Sequence, residues 1–126
     1  MVLNAIILAA GKGKRLRPLT NDKPKCLVEL FGKPLLEWQI ETFQNSGITD
    51  ITIVSGYKSD LINFPETTIL KNEKYDSTNM VETLFYAKEK MLDSTIVSYG
   101  DIIFEKNVLN KLIQSKADFS IIVDKN

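Results

Sequence analysis

The sequence predicts an α/β fold, a Rossmann-like three-layer sandwich with a mostly parallel sheet. Three observations carry this. Short apolar runs bounded by turn residues alternate with segments of helical period, so the chain reads β-α-β-α. The runs are apolar at nearly every position, as strands covered on both faces are. A loop rich in glycine and lysine, Gly11-Lys12-Gly13-Lys14, follows the first run, where open α/β sheets bind their ligands.

Leu3 to Leu8 reads as the first strand. Pro34 to Ser46 reads as a helix: Leu36, Ile40 and Phe43 share a face, Pro34 favours the first turn, and Gly47 stops it. Ile51 to Val54 is a second strand and Thr67 to Leu70 a shorter third. Met80, Leu84, Ala87 and Met91 recur at helical spacing and predict a helix from Asn79 to Leu92. Thr95 to Tyr99 follows as a fourth strand. Val108, Leu109, Leu112 and Ile113 mark another helix, and Phe119 to Val123 a fifth strand. Helical crossovers between parallel strands are right-handed. Because no helix follows the last run, residues 1–126 are expected to be the N-terminal part of a longer single domain.

Composition narrows the chemistry. The 126 residues are 44% hydrophobic and 25% charged, which fits one soluble domain around one core. There is no histidine and one cysteine, which excludes a Ser-His-Asp triad, a Cys-His dyad, an HExxH zinc helix and a thiolate metal cluster. Cys26 alone cannot form an intrachain disulfide, and the N-terminus lacks the basic, apolar and small-residue pattern of a secretory leader. A cytoplasmic protein is expected. Sixteen basic residues balance sixteen acidic ones, which argues against nucleic acid as partner. Apolar stretches such as Ala5 to Ala10 fall far short of the roughly 20 residues that cross a bilayer.

The loop from Ala9 to Pro18 is the leading site. Gly11 and Gly13 let the backbone turn sharply and approach a bulky group, while free N–H groups and four cations between Lys12 and Arg17 attract an anion. A polyphosphate suits this chemistry. The dinucleotide fingerprint fails because Leu16 stands where its third glycine belongs, and the P-loop fails for want of Gly-Lys-Ser/Thr after its spacer. The plain alternative is a solvated turn whose lysines aid solubility.

Read together, Ala5-Ile6-Ile7-Leu8-Ala9-Ala10-Gly11-Lys12-Gly13-Lys14-Arg15-Leu16-Arg17-Pro18-Leu19-Thr20 and Lys23-Pro24-Lys25-Cys26-Leu27-Val28 resemble the signature of the sugar-phosphate nucleotidyltransferase superfamily. Gly32-Lys33-Pro34-Leu35-Leu36, Gly56-Tyr57 and Gly100-Asp101 follow in the expected order. Asn72 to Leu84 resembles the branch that transfers cytidylyl groups to phosphocholine, phosphonates or phosphoglutamine. The resemblance implies a nucleotidyltransferase fold of the GT-A-like type, truncated to about its first half. The remainder would carry much of the acceptor pocket and a second metal-binding aspartate.

It further implies transfer of CMP from CTP to a small phosphorylated acceptor, with Mg²⁺ as cofactor and pyrophosphate released. Two alternatives stay open: a sugar 1-phosphate enzyme using UTP or dTTP, and a non-catalytic nucleotide-binding module. By resemblance, Arg15 and Lys25 are the catalytic cations and Asp101 the metal ligand. Leu8, Ala9, Ala10, Gly11, Lys12, Gly13, Gly56, Thr78 and Asn79 would bind the nucleotide.

The chemistry fits those residue types. An acceptor phosphate, with its second pKa about 6, is already ionised at neutral pH and needs no general base, so the missing histidine is no handicap. The obstacle is bringing two anions together, which calls for cation clamps and positioning. Arg15 offers a planar fork for phosphate oxygens. Lys25 follows Pro24, which fixes the backbone before it; otherwise it is a surface loop lysine. Arg17 is not counted among the catalytic groups. Asp101, just after a strand and beside Gly100, suits Mg²⁺, or else turns the chain or caps the next helix. Asp124 is not assigned to metal. Asn79 with Glu82 reads as an N-cap box, a role compatible with reading the cytosine edge. Tyr57 and Tyr75 line the acceptor side or simply pack. Trp38 reads as core or interface, and Cys26 as a small buried apolar residue.

Overall fold

A computed structural model describes residues 3–13, 17–115, 117 and 120. The first strand, β1 (Leu3–Ala9), is the central one, with six of its seven residues buried. A hairpin of two-residue strands, β2 (Glu29–Leu30) and β3 (Lys33–Pro34), leads into helix α1 (Leu35–Asn45). Then come β4 (Ile51–Ser55), β5 (Thr68–Lys71), helix α2 (Met80–Phe85), β6 (Ser94–Tyr99) and helix α3 (Lys106–Gln114).

The main sheet has the order β5-β4-β1-β6, every neighbouring pair parallel. Ile7 faces Ile53 on one side and Ser98 on the other. Alternation along β1 divides the core into two layers. Ala5, Ile7 and Ala9 pack with Leu36, Ile40 and Phe43 of α1 and Leu109 of α3. Ile6 and Leu8 face the opposite way, onto Val54 and Ala87, with Leu84 of α2 beside them. The expected three layers are present.

Two expectations need correction. The helix predicted over Asn79 to Leu92 is realised as α2 alone, followed by a 3₁₀ turn at Lys88–Lys90. Beyond Phe85 the amides of Tyr86 and Ala87 bond three residues back, to Thr83 and Leu84. This tighter winding lowers Ala87 into full burial on β1 and lets Asn4 donate to the Lys90 carbonyl at 2.6 Å. Met80 and Met91, each 42% exposed, thus leave the apolar stripe that suggested a longer helix. The hairpin was also unforeseen. Its turn places Phe31 and Gly32 at φ of 52° and 77°, the conformation usually signalled by Asn-Gly. Trp38 belongs to this hairpin rather than to the core: its indole N–H donates to the Leu30 carbonyl at 2.9 Å, and the Lys33 ammonium lies 4.2 Å over its ring. The predicted strand Phe119 to Val123 lies largely outside the described residues, as does Asp124.

Candidate active site

β1 sends the chain to β4 on one side, and β6 later returns to its other side. The crevice above the C-terminal ends of β1 and β6 is therefore a topological switch point. There the Gly100 N–H donates to the Leu8 carbonyl at 2.8 Å. A Cβ on Gly100 would lie 2.9 Å from the Ala9 Cβ and 3.1 Å from the Cys26 Cβ, so a side chain would push the two strand exits apart. Asp101 follows immediately, half-buried at the crevice rim.

Lys25 reaches the same point from the segment after the glycine loop. Buried Pro24 leads into a 3₁₀ turn at Lys25–Leu27 that drives Cys26 into the core. The Lys25 Nζ lies 2.5 Å from Asp101 Oδ2, both side chains remaining partly open to solvent. Such a pair contributes little stability, and its members can exchange each other for a ligand. Burial pushes the Cys26 thiol up to about 12, with the Asp101 charge adding to the shift. Cys26 is packing, as its sequence context implied.

The glycine loop is fastened to Lys25. Gly13 has φ of +67°, and a Cβ there would fall 2.8 Å from the Lys25 Cβ and 2.9 Å from Thr20 Cγ2. The Thr20 hydroxyl donates to the Gly13 carbonyl at 2.7 Å and closes the loop. Gly11 differs: a Cβ there meets nothing within 4 Å. Leu8, Ala9 and Ala10 are each 5% exposed and can offer a ligand only backbone. Arg15 lies outside the described residues.

Lys12 joins the loop to the far bank. Its Nζ is 2.6 Å from Asp76 Oδ1 and 5.7 Å over the Tyr75 ring. Donating a hydrogen bond to the Asp76 carboxylate raises its pKa above the usual lysine value. Tyr75 lies over Gly56, where an added Cβ would be 2.5 Å from the Tyr75 Cβ; Gly56 is thus the seat of a ring. Tyr57 packs edge-on to Tyr75 at 6.2 Å, and its hydroxyl reaches the Thr20 carbonyl at 3.3 Å.

The Asn72 side chain organises the rest of this bank. Fully buried, it donates to the hydroxyls of Thr78 at 2.8 Å and Thr83 at 3.1 Å, and accepts from the Lys74 N–H at 2.9 Å. The Thr78 hydroxyl in turn donates to the Lys74 carbonyl at 2.9 Å. Asn79 Oδ1 accepts the Glu82 N–H at 2.9 Å, the cap expected from the sequence, leaving the amide nitrogen outside that bond.

Gly13, Lys25 and Asp101 therefore meet at one rim, Gly11 lies two residues before Gly13 in the same loop, and Lys12 bridges to the segment holding Thr78 and Asn79. Sequence reasoning missed Thr20 and Asp76, whose partners lie 7 and 64 residues away along the chain and leave no local signal. Among the described residues, no group of three or more acidic, histidine or cysteine side chains converges as a metal cage. No helix among them is long and apolar enough to cross a membrane.

A parallel sheet with helices on both faces, carrying a glycine-lysine loop and a carboxylate at its switch point, is a doubly wound α/β domain with its candidate ligand site at that point. The chain belongs to the MobA-like NTP transferase domain family, whose pattern matches residues 5–126. It is 42% identical to a CTP:phosphoglutamine cytidylyltransferase of Campylobacter jejuni, over 98% of this chain and 53% of that protein. The solved structure of a CTP:phosphocholine cytidylyltransferase of Streptococcus pneumoniae superposes with a TM-score of 0.77 at 37% identity, over 85% of this chain and 50% of that one. A UTP–glucose-1-phosphate uridylyltransferase of Haloferax volcanii is 30% identical over 97% of this chain and 54% of its own. The chain thus spans about half the length of these relatives.

Proposed function

We propose that the protein transfers CMP from CTP to a small phosphorylated acceptor. An acceptor phosphate or phosphonate oxygen attacks the α-phosphorus, the bond to the bridging oxygen of the β-phosphate breaks, and pyrophosphate leaves. The observation that carries this is the convergence of Lys25, Asp101 and Gly13 at the switch-point rim. Similarity to cytidylyltransferases supports cytosine as the base.

Each group has a task in this reaction. The open backbone at Gly11 lets the triphosphate approach its N–H groups. Lys25 leaves Asp101 and neutralises phosphate charge as it moves toward pyrophosphate. Arg15 and Lys12 add cations along the tail, Lys12 leaving Asp76 to do so. Asn79 keeps its cap while its amide nitrogen faces the base.

A divalent cation fits the donor chemistry present. Asp101 offers a hard oxygen ligand at the rim, and Mg²⁺ is commonly held by one or two carboxylates together with substrate phosphates and waters. It would supply charge neutralisation on the phosphates.

The uridylyltransferase relative favours a second reading, with a sugar 1-phosphate and UTP as substrates. A pyrophosphate-release screen of the complete gene product separates the two. CTP, UTP, dTTP and ATP are each paired with phosphocholine, aminoethylphosphonate, phosphoglutamine and hexose 1-phosphates. Release with CTP and a small acceptor is expected. Release only with UTP or dTTP and a sugar phosphate would establish the second reading, and CTP binding without release would leave a binding module.

A further inference from the structure

We infer that Gln39 of α1 is a positioning residue for the reaction, holding the Gly100-Asp101 turn so that Asp101 faces Lys25. The inference rests on the role given to Asp101 and Lys25 above. Gln39 is 1% exposed and lies between α1 and the end of β6. Its Nε2 donates to the Tyr99 carbonyl at 2.8 Å and to the Ile102 carbonyl at 3.0 Å, the two peptide groups that flank Gly100-Asp101. Its Oε1 accepts from the Ser98 hydroxyl, which fixes which end of the amide points at the turn.

The turn is consequently gripped from two sides. The Gly100 N–H is tied to β1 through the Leu8 carbonyl, and the flanking carbonyls are tied to α1 through one amide. An apolar residue fills this place in an ordinary helix–sheet contact, where a buried amide must find partners for every polar atom. Gln39 finds them all at the one turn that presents the carboxylate. Two donors on one nitrogen fix both ends of a two-residue turn, which sets the direction of Asp101 more firmly than the partly exposed Lys25 contact can.

The test compares wild type with Gln39→Met in the complete protein, since methionine keeps the volume and removes both donors. Hydrogen exchange of the Gly100 amide is read against that of Ala5, which bonds to the Asp50 carbonyl at the other end of β1. We expect Gly100 exchange to quicken about tenfold relative to Ala5, as loss of a buried hydrogen bond implies. Pyrophosphate release should lose about tenfold in kcat with KM for CTP within about twofold, since the glycine loop is untouched. Equal acceleration at both amides, or an unchanged kcat in a folded variant, would overturn the inference and leave Gln39 as packing. Should Gln39→Met fail to fold, Ser98→Ala frees the amide orientation without removing the donors. It should shift both readouts the same way by a smaller factor, and no shift would count against the inference. Silence of the wild type with every nucleotide would refute the proposed activity, while the exchange comparison would still decide the part played by Gln39.

Discussion

Two glycines in one loop give opposite expectations when changed to alanine. At Gly13 the backbone stands at φ of +67°, which costs an L-residue about 1–2 kcal/mol. The new Cβ would also sit 2.8 Å from the Lys25 Cβ and 2.9 Å from Thr20 Cγ2. Neither atom is the free end of a flexible chain, and Thr20 is 1% exposed, so overpacking adds about 1–3 kcal/mol. Gly13→Ala should lose about 2–5 kcal/mol together, a drop of about 1–2.5 M in urea midpoint at a slope near 2 kcal/mol/M. At Gly11 nothing lies within 4 Å of the added Cβ, so stability should stay within about 0.5 kcal/mol. That same open space is where the triphosphate is expected, and Gly11→Ala should weaken CTP binding about tenfold by calorimetric titration. A Gly13→Ala midpoint equal to wild type would mean that Lys25 does not pack on the loop. Undiminished CTP binding by Gly11→Ala would move the phosphates elsewhere.

Asp101→Asn keeps the shape of the rim and removes its charge. Pyrophosphate release should fall about a hundredfold or more, while urea stability changes by less than about 1 kcal/mol because the Lys25 pair is partly exposed; full activity would exclude Asp101 from the chemistry. Asn79→Asp preserves the cap acceptor but removes the amide donor. KM for CTP should rise about tenfold with the urea midpoint unmoved, and an unchanged KM would confine Asn79 to capping. Cys26 makes stability fall in alkali: its thiol ionises near 9 in the unfolded chain and at about 12 in the fold, so between those values the folded state holds the extra proton. Its contribution should decline by about 1.4 kcal/mol per pH unit above 9, and Cys26→Ala should remove that part of the slope in urea titrations from pH 8 to 11. An identical slope in both proteins would mean that Cys26 is not buried as described.

What was legible in the sequence was what is local. The apolar runs of β1 and β4 are buried on both faces, and a strand of that kind needs no partner to be recognised. The Asn79 cap was readable because Asn79 and Glu82 are three residues apart. Periodicity misled at α2, because Met80 and Met91 match the helical spacing while only Leu84 and Ala87 reach the sheet. The hairpin escaped because its turn uses Phe31-Gly32 in place of a polar residue that tolerates positive φ. Of the candidate site, Lys25 and Asp101 were each singled out by resemblance, but their meeting depends on β6 lying beside β1, and strand order is invisible to local pattern. Gln39 was hidden for the same reason: on a helix wheel it is one polar residue at the edge of an apolar face, and its partners are about 60 residues later in the chain.

The most direct measurement is the structure of the complete protein with a non-hydrolysable CTP analogue and Mg²⁺. We expect the triphosphate over Gly11 and Gly13, with the Lys25 ammonium moved from Asp101 to within about 3 Å of a phosphate oxygen. A nucleotide bound away from this rim, with Lys25 still on Asp101, would contradict the assignment of the switch point as the active site.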